Sequence, residues 1–255
     1  MKIYKYKDLT DEKNLPHFYQ IVLQRAIWCA RPESLNDEEE FRFKLDYEPS
    51  SRTRDLLTNA VSIYRTTNLF PAGLSVSFVL QNKRLKNLAE PIINNIINNA
   101  RAEIGVACFS AIKNDDYLWN EYGGKGNGVC IEVEIPDEHL NDYFYPVHYV
   151  SEKTFHVDAF LESSLFPDKE FDMYRNMLLT KTEKWSREKE IRYISKSSEV
   201  NVIVDGRITE ITFGSRVPIK TLEQLGTRIA EHCRKNNIRI TKFDNQEKRL
   251  DNNPL

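Results

Sequence analysis

Glu188 and Glu190 stand one residue apart, with Arg192 two further on and Trp185 and Arg187 just ahead. On a strand entered at about Glu188, the two-residue period puts Glu188, Glu190 and Arg192 on one face and turns Ile191 and Tyr193 toward a core. Adjacent acids on one face repel each other, and a reactive site gives them a purpose. One carboxylate holds a sugar hydroxyl while the other handles an attacking group. The same residues also fit a solvated edge strand whose Glu and Arg pair across a sheet.

The rest of the chain has to supply a frame for that strand. Met1 to Tyr6 alternates as a strand, Ile3 and Lys5 on one face, Tyr4 and Tyr6 on the other. Leu15, Phe18, Val22 and Ala26 recur at helical spacing after a start marked by Thr10, Asp11 and Glu12. Ile27 to Ala30 reads as a second strand, followed by a turn at Leu35-Asn36-Asp37 and acidic Glu38 to Glu40. From about Pro49 to Ala102 the pattern is helical. Leu56, Leu57, Ala60, Val61 and Tyr64 mark one helix, ended before Pro71 and Gly73, and Pro91 is expected to break or begin another. The paired Ile and Asn residues of 92–99 form stripes of the kind that pack a core.

Gly105 to Ser110 is a strand ending on a hydroxyl, and a short helix from about Asp115 to Tyr122 carries Trp119. The glycines of 123–128 lack the Gly-Lys-Ser/Thr ending of a phosphate-binding loop. They serve either the turn into the strand Val129 to Val133 or a wall that lets a ligand approach the backbone. Strands are expected at Val147 to Tyr149, Asn201 to Val204, Arg207 to Phe213 and Ile238 to Thr241. Helices are expected around Phe171 to Leu178 and from Thr221 to Lys235. Short strands mixed with helices make the chain α+β.

No Pro/Gly/Ser-rich linker divides the 255 residues, which read as one domain. A net charge of -2 argues against a generally basic nucleic-acid coat protein. It leaves room for local basic clusters such as Lys83-Arg84-Lys86, Arg234-Lys235, Lys242 and Lys248-Arg249, which also suit solvated faces. The four cysteines are widely spaced and mostly in apolar runs, as reduced buried thiols are, and the five histidines show no metal-ligand spacing. With no signal pattern and no long apolar span, a cytoplasmic protein without a membrane partner or bound metal is expected.

Taken together, Ile3 to Lys7, Ile27-Trp28 with Leu35-Asn36-Asp37, Gly105 to Ser110, Trp119 with Tyr122, Gly128 to Val133, Trp185 with Glu188 to Arg192, and Ile208 to Gly214 resemble an uncharacterised bacterial family. The pieces run in that family's order over most of the chain, and the stretch from about Pro49 to Ala102 has no counterpart. That family in turn resembles, more distantly, the ADP-ribosyltransferase superfamily. The resemblance implies a single domain over 1–255 with mixed and antiparallel sheets, surrounding helices and an insertion at about 49–102. It also implies NAD as co-substrate, a macromolecular acceptor (RNA, DNA or protein), and a toxin or phage-defence setting with a cognate antitoxin.

Those enzymes carry a His or Arg on an early strand, an aromatic or Ser/Thr on a middle strand and a Glu on a late strand. Here Lys5, Phe109-Ser110 and Glu188 or Glu190 follow that order, Lys5 being a departure that offers charge and donors but no imidazole. Glu190 is then expected to stabilise an oxocarbenium-like state, with Glu188 activating the acceptor or pairing with Arg192. Lys5, Tyr6, Ser110, Trp119, Tyr122 and Arg192 are expected to hold NAD, the aromatics by stacking. A non-catalytic binding module on the same scaffold and a nuclease are the alternatives.

Overall fold

The computed structural model describes residues 1–243 apart from 12, 38, 65–74 and 82–83. The expectations placed on Glu12, Glu38, Pro71, Gly73, Lys83, Lys248 and Arg249, and on the side chains of Ala60, Val61 and Tyr64, lie outside the described residues.

Strand β1 (Lys2–Lys7) buries Ile3 completely on one face, and α1 (Asn14–Gln24) buries Phe18, Ile21 and Val22 along one stripe. Thr10 does not cap α1. Its N–H and hydroxyl both donate to Asp8 Oδ1, closing a separate turn. Arg25 takes a left-handed conformation (φ 55°) and ends the helix, so Ala26 opens β2 (Ala26–Cys29) instead of extending the stripe.

After β3 (Lys44–Asp46) come α2 (Ser51–Tyr64), α3 (Val76–Gln81) and α4 (Leu85–Glu103). Pro91 neither breaks nor begins α4 but sits exposed inside it. It removes one backbone bond, yet Ala89, Ile93, Ile96 and Ala100 bury the opposite stripe and carry the helix through. Strand β4 (Gly105–Ser110) leads to α5 (Asp116–Glu121), where the Asp115 side chain accepts from the N–H groups of Tyr117 and Leu118 and caps the helix.

Strand β5 (Val129–Glu134) is followed by β6 (Phe144–Pro146), β7 (His148–Val150), β8 (Thr154–His156) and α6 (Val157–Leu165); β7 lies one residue along from the strand expected at Val147 to Tyr149, and the other three pieces escape periodicity. Then come α7 (Pro167–Leu178), β9 (Thr180–Thr182) and β10 (Glu190–Ser195). The chain continues with β11 (Val200–Ile203), β12 (Arg207–Phe213), α8 (Ile219–Lys235) and β13 (Arg239–Lys242).

Seven strands form the main sheet in the order β13-β12-β5-β1-β4-β10-β6, antiparallel except for β12–β13. The fold is α+β. Alternation sends Ile3, Ala107, Phe109, Ile131 and Ile191 to one face, where α1 and α8 cover them. On the other face Val106 and Ile194 join the core of α2, α4, α6 and α7. Farther along that face, Tyr6 and Cys130 pack with Leu118, Trp119 and Phe243. Among the described residues no helix is long and apolar enough to cross a membrane.

Candidate active site

The main sheet is weakest at its middle. β1 pairs with β5 along its whole length, but with β4 only at Tyr4–Ser110. Beyond that pair β4 turns to another partner, Val106 exchanging two backbone bonds with Ala30. The Cys108 carbonyl, on the same side of β4 as Val106 and Ser110, therefore has no β1 amide, and Lys5 Nζ donates to it instead at 2.6 Å. A cavity of about 320 Å³ occupies this split. Lys5, Tyr6, Ser110, Tyr122, Glu188, Glu190 and Arg192 all line it.

Trp119 does not line the cavity. It is buried in the cluster behind, edge-on to Tyr6 (5.3 Å between ring centroids) and stacked on Phe243 (5.1 Å). Core packing holds it there. The Tyr6 hydroxyl faces the turn after β4, accepting from the Asn114 N–H at 2.9 Å.

Glu188 and Glu190 come together by a route that the two-residue period does not describe. Glu188 ends a 3-10 turn (Glu183–Glu188), Lys189 is left-handed (φ 43°), and β10 starts only at Glu190. Nor is β10 a solvated edge strand. It lies between β4 and β6, and Glu188, Glu190 and Arg192 are exposed by only 3%, 6% and 1%. Acids so deeply buried need counter-charges.

Lys181, in the middle of β9, supplies the first, donating to Glu188 Oε2 at 2.6 Å and to Glu190 Oε2 at 3.0 Å. Its ammonium also lies 4.6 Å from the centroid of the Trp185 ring. Arg192 supplies the second. Its Nε donates to Glu190 Oε1 at 2.8 Å, its terminal nitrogens grip both oxygens of Glu40 at 2.9 and 3.0 Å, and a further bond goes to the Leu178 carbonyl. The fifth donor reaches Glu190 Oε2 at 3.3 Å. With all five donors used, Arg192 is not free to hold a cofactor. It fixes Glu190 and Glu40 in place, and it does not pair with Glu188.

Electrostatics divides the two acids. Burial alone would push the Glu190 pKa up, but the Arg192 and Lys181 charges outweigh it and hold it at about 2. Glu190 is therefore a fixed anion. Glu188 is tied more lightly, by Lys181 and by the Tyr122 hydroxyl, which itself accepts from Asn36 at 2.7 Å. Burial and the neighbouring Glu188 raise the Tyr122 pKa, so the phenol remains a donor. Ser110 is spent on structure. It donates to the Glu188 carbonyl at 2.7 Å and accepts from the Ile112 N–H at 3.0 Å, locking the 3-10 turn to β4. Burial also pushes the Cys108 and Cys29 thiols up, the latter to about 11, so neither offers a thiolate nucleophile.

Lys181 and Glu40 escape sequence reasoning. Lys181 sits between two threonines on a three-residue strand, too short for a periodic signal, and Glu40 ends an acidic run in which nothing sets it apart from its neighbours. The 123–128 loop resolves in favour of the turn. A Cβ on Gly128 would lie 2.1 Å from the Lys7 carbonyl, so the backbone these glycines admit is the protein's own.

A family model described as "Protein of unknown function (DUF2971)" matches residues 118–193. The matched stretch runs from α5 to β10 and contains Tyr122, Lys181, Glu188, Glu190 and Arg192. No curated protein and no solved structure matches the chain.

Proposed function

We propose that the protein is an ADP-ribosyltransferase-like enzyme that moves ADP-ribose from NAD to a macromolecule. One observation carries this reading. The three strands ordered by the resemblance, β1, β4 and β10, are neighbours in the sheet; Ser110 stands opposite Glu190, and on β1 it is Tyr4 that faces Ser110, while Lys5, the residue the resemblance orders there, projects from the other face of β1 into the same cavity. The split beside that row holds a cavity at the lower end of the ~300–1,000 Å³ typical of small-ligand sites.

Breaking the bond between nicotinamide and ribose develops positive charge on the sugar, as glycoside cleavage does. Glu190, held anionic and immobile by Arg192 and Lys181, is placed to stabilise that charge without reorganising. Glu188 has the freer oxygens and is assigned to the ribose hydroxyls or to the attacking group of the acceptor. Lys5 holds a polar part of the donor, Tyr6 and Tyr122 wall the cavity, and Ser110 and Arg192 position the acids.

A non-catalytic binding module gains weight from one feature, the saturation of Glu190 by protein donors. A metal-dependent nuclease fits less well, because Lys181 and Arg192 stand among the acids where a divalent ion would have to bind. A toxin or phage-defence role with RNA, DNA or protein as acceptor, and a cognate antitoxin, goes with the transferase reading. Mass spectrometry of total RNA, DNA and protein after expression tests it. An added ADP-ribose on one class is the expected result. Tight binding of one partner without any such adduct would favour the binding module.

A further inference from the structure

Among the described residues no acid lies within ion-pair distance of two ammonium groups at the cavity. Lys5 and Lys7 stand two apart on β1, on the face of Ile3 and away from the Glu188–Glu190 cluster. Lys5 Nζ has the Cys108 carbonyl and lies 5.4 Å from the centroid of the Phe109 ring. Among the described residues Lys7 Nζ has one long contact, 3.4 Å, to Asn14 Oδ1 at the start of α1. Glu190 and Asp11 act on these lysines only from beyond ion-pair distance. Both lysines are half-buried, and an ammonium partly withdrawn from water without a counter-ion is costly. Burial pushes the Lys5 pKa down, and burial with the adjacent Lys5 charge brings Lys7 to about 7.

Beside them, Trp28 of β2 lines the same cavity, backed by His17 of α1 with ring centroids 5.4 Å apart. Cations that lack an anion, next to a supported aromatic plate, complement a nucleotide. Phosphates satisfy the ammoniums while a base lies against the indole.

We propose that Lys7 and Trp28, together with Lys5, form a nucleotide subsite that takes a diphosphate on the two lysines and the attached base on Trp28. This rests on the reading of the cavity as the NAD site, and it extends that reading to Lys7 and Trp28, which neither the acid cluster nor the strand motifs assign.

Calorimetric titration of the full chain with ADP, adenosine and inorganic pyrophosphate tests it. Lys7→Met should weaken ADP and pyrophosphate about 10- to 100-fold and leave adenosine unchanged, while Lys7→Arg should keep ADP binding. Trp28→Leu should weaken ADP and adenosine about tenfold and spare pyrophosphate. On the unaltered protein, saturating ADP should shield Lys7 from acetylation, read by peptide mass spectrometry. Equal ADP affinity in Lys7→Met, or Lys7 acetylated equally with and without ADP, would overturn the subsite. Its failure is separable from that of the transferase reading. ADP binding that depends on Lys7, in a protein that never releases nicotinamide, would uphold the subsite and remove the reaction. NAD turnover untouched by Lys7→Met would do the reverse.

Discussion

With Lys181 replaced by Met, Glu188 and Glu190 would remain buried side by side, and Arg192 alone would neutralise them along with Glu40. Removing one partner of a buried ion pair costs about 3–5 kcal/mol, because the other charge stays uncompensated. Lys181→Met should therefore lower the unfolding free energy, read from urea unfolding at neutral pH, by an amount in that range. The pH dependence should also change sign. In the natural protein the Glu190 pKa lies at about 2, below the ordinary 4.5. Its stabilisation is then complete above 4.5 and is lost as the pH falls toward 2. Without Lys181 the two buried carboxylates lose a shared cation, so mild acid should restore part of the lost stability as the pair takes up a proton. Urea midpoints of both proteins at neutral pH and at about pH 5 check this. A variant that only weakens further in acid would mean that Lys181 is not what holds the two carboxylates.

At the scale of elements, two glycines make opposite predictions. A methyl group on Gly128 would meet the Lys7 carbonyl at 2.1 Å and the Gly123 carbonyl at 2.7 Å, both backbone atoms that cannot step aside. Gly128→Ala should cost about 3 kcal/mol by prising β5 from the end of β1. Gly226 lies inside α8 with nothing within 4 Å of a Cβ, so Gly226→Ala should add about 1 kcal/mol, or roughly 2–4 °C in Tm. Thermal unfolding of the two variants checks both signs. The long elements were legible because their periods are long enough to read. β1, β4, β5, β12 and α8 fall where alternation and the apolar stripe put them. Apart from β7, the three-residue strands were not, and β9, which brings Lys181 to the acids, is one of those missed. Glu188 does lie beside Glu190, but not by the strand period. The left-handed Lys189 breaks the strand period between the two acids, and Lys181 draws them together instead.

Across the whole molecule, patterning made the α+β class readable but not the order of the strands, which depends on contacts far apart in sequence. Strands at residues 2–7, 105–110 and 190–195 become neighbours, and a single pair, Tyr4–Ser110, joins the two halves of the sheet beside the cavity. Function then rests on whether the fixed anion on β10 meets a sugar. The most direct measurement is nicotinamide release from NAD by the purified protein with cell extract as acceptor, compared with Glu190→Gln. Gln keeps an acceptor for Arg192 but removes the charge, so the variant should lose stability and must be assayed where circular dichroism shows it folded. Release by the natural protein is expected, with a loss of about 100- to 1,000-fold in the variant, equivalent to roughly 3–4 kcal/mol of barrier. Undiminished release by folded Glu190→Gln would contradict this and leave Glu190 a structural partner of Arg192 and Lys181.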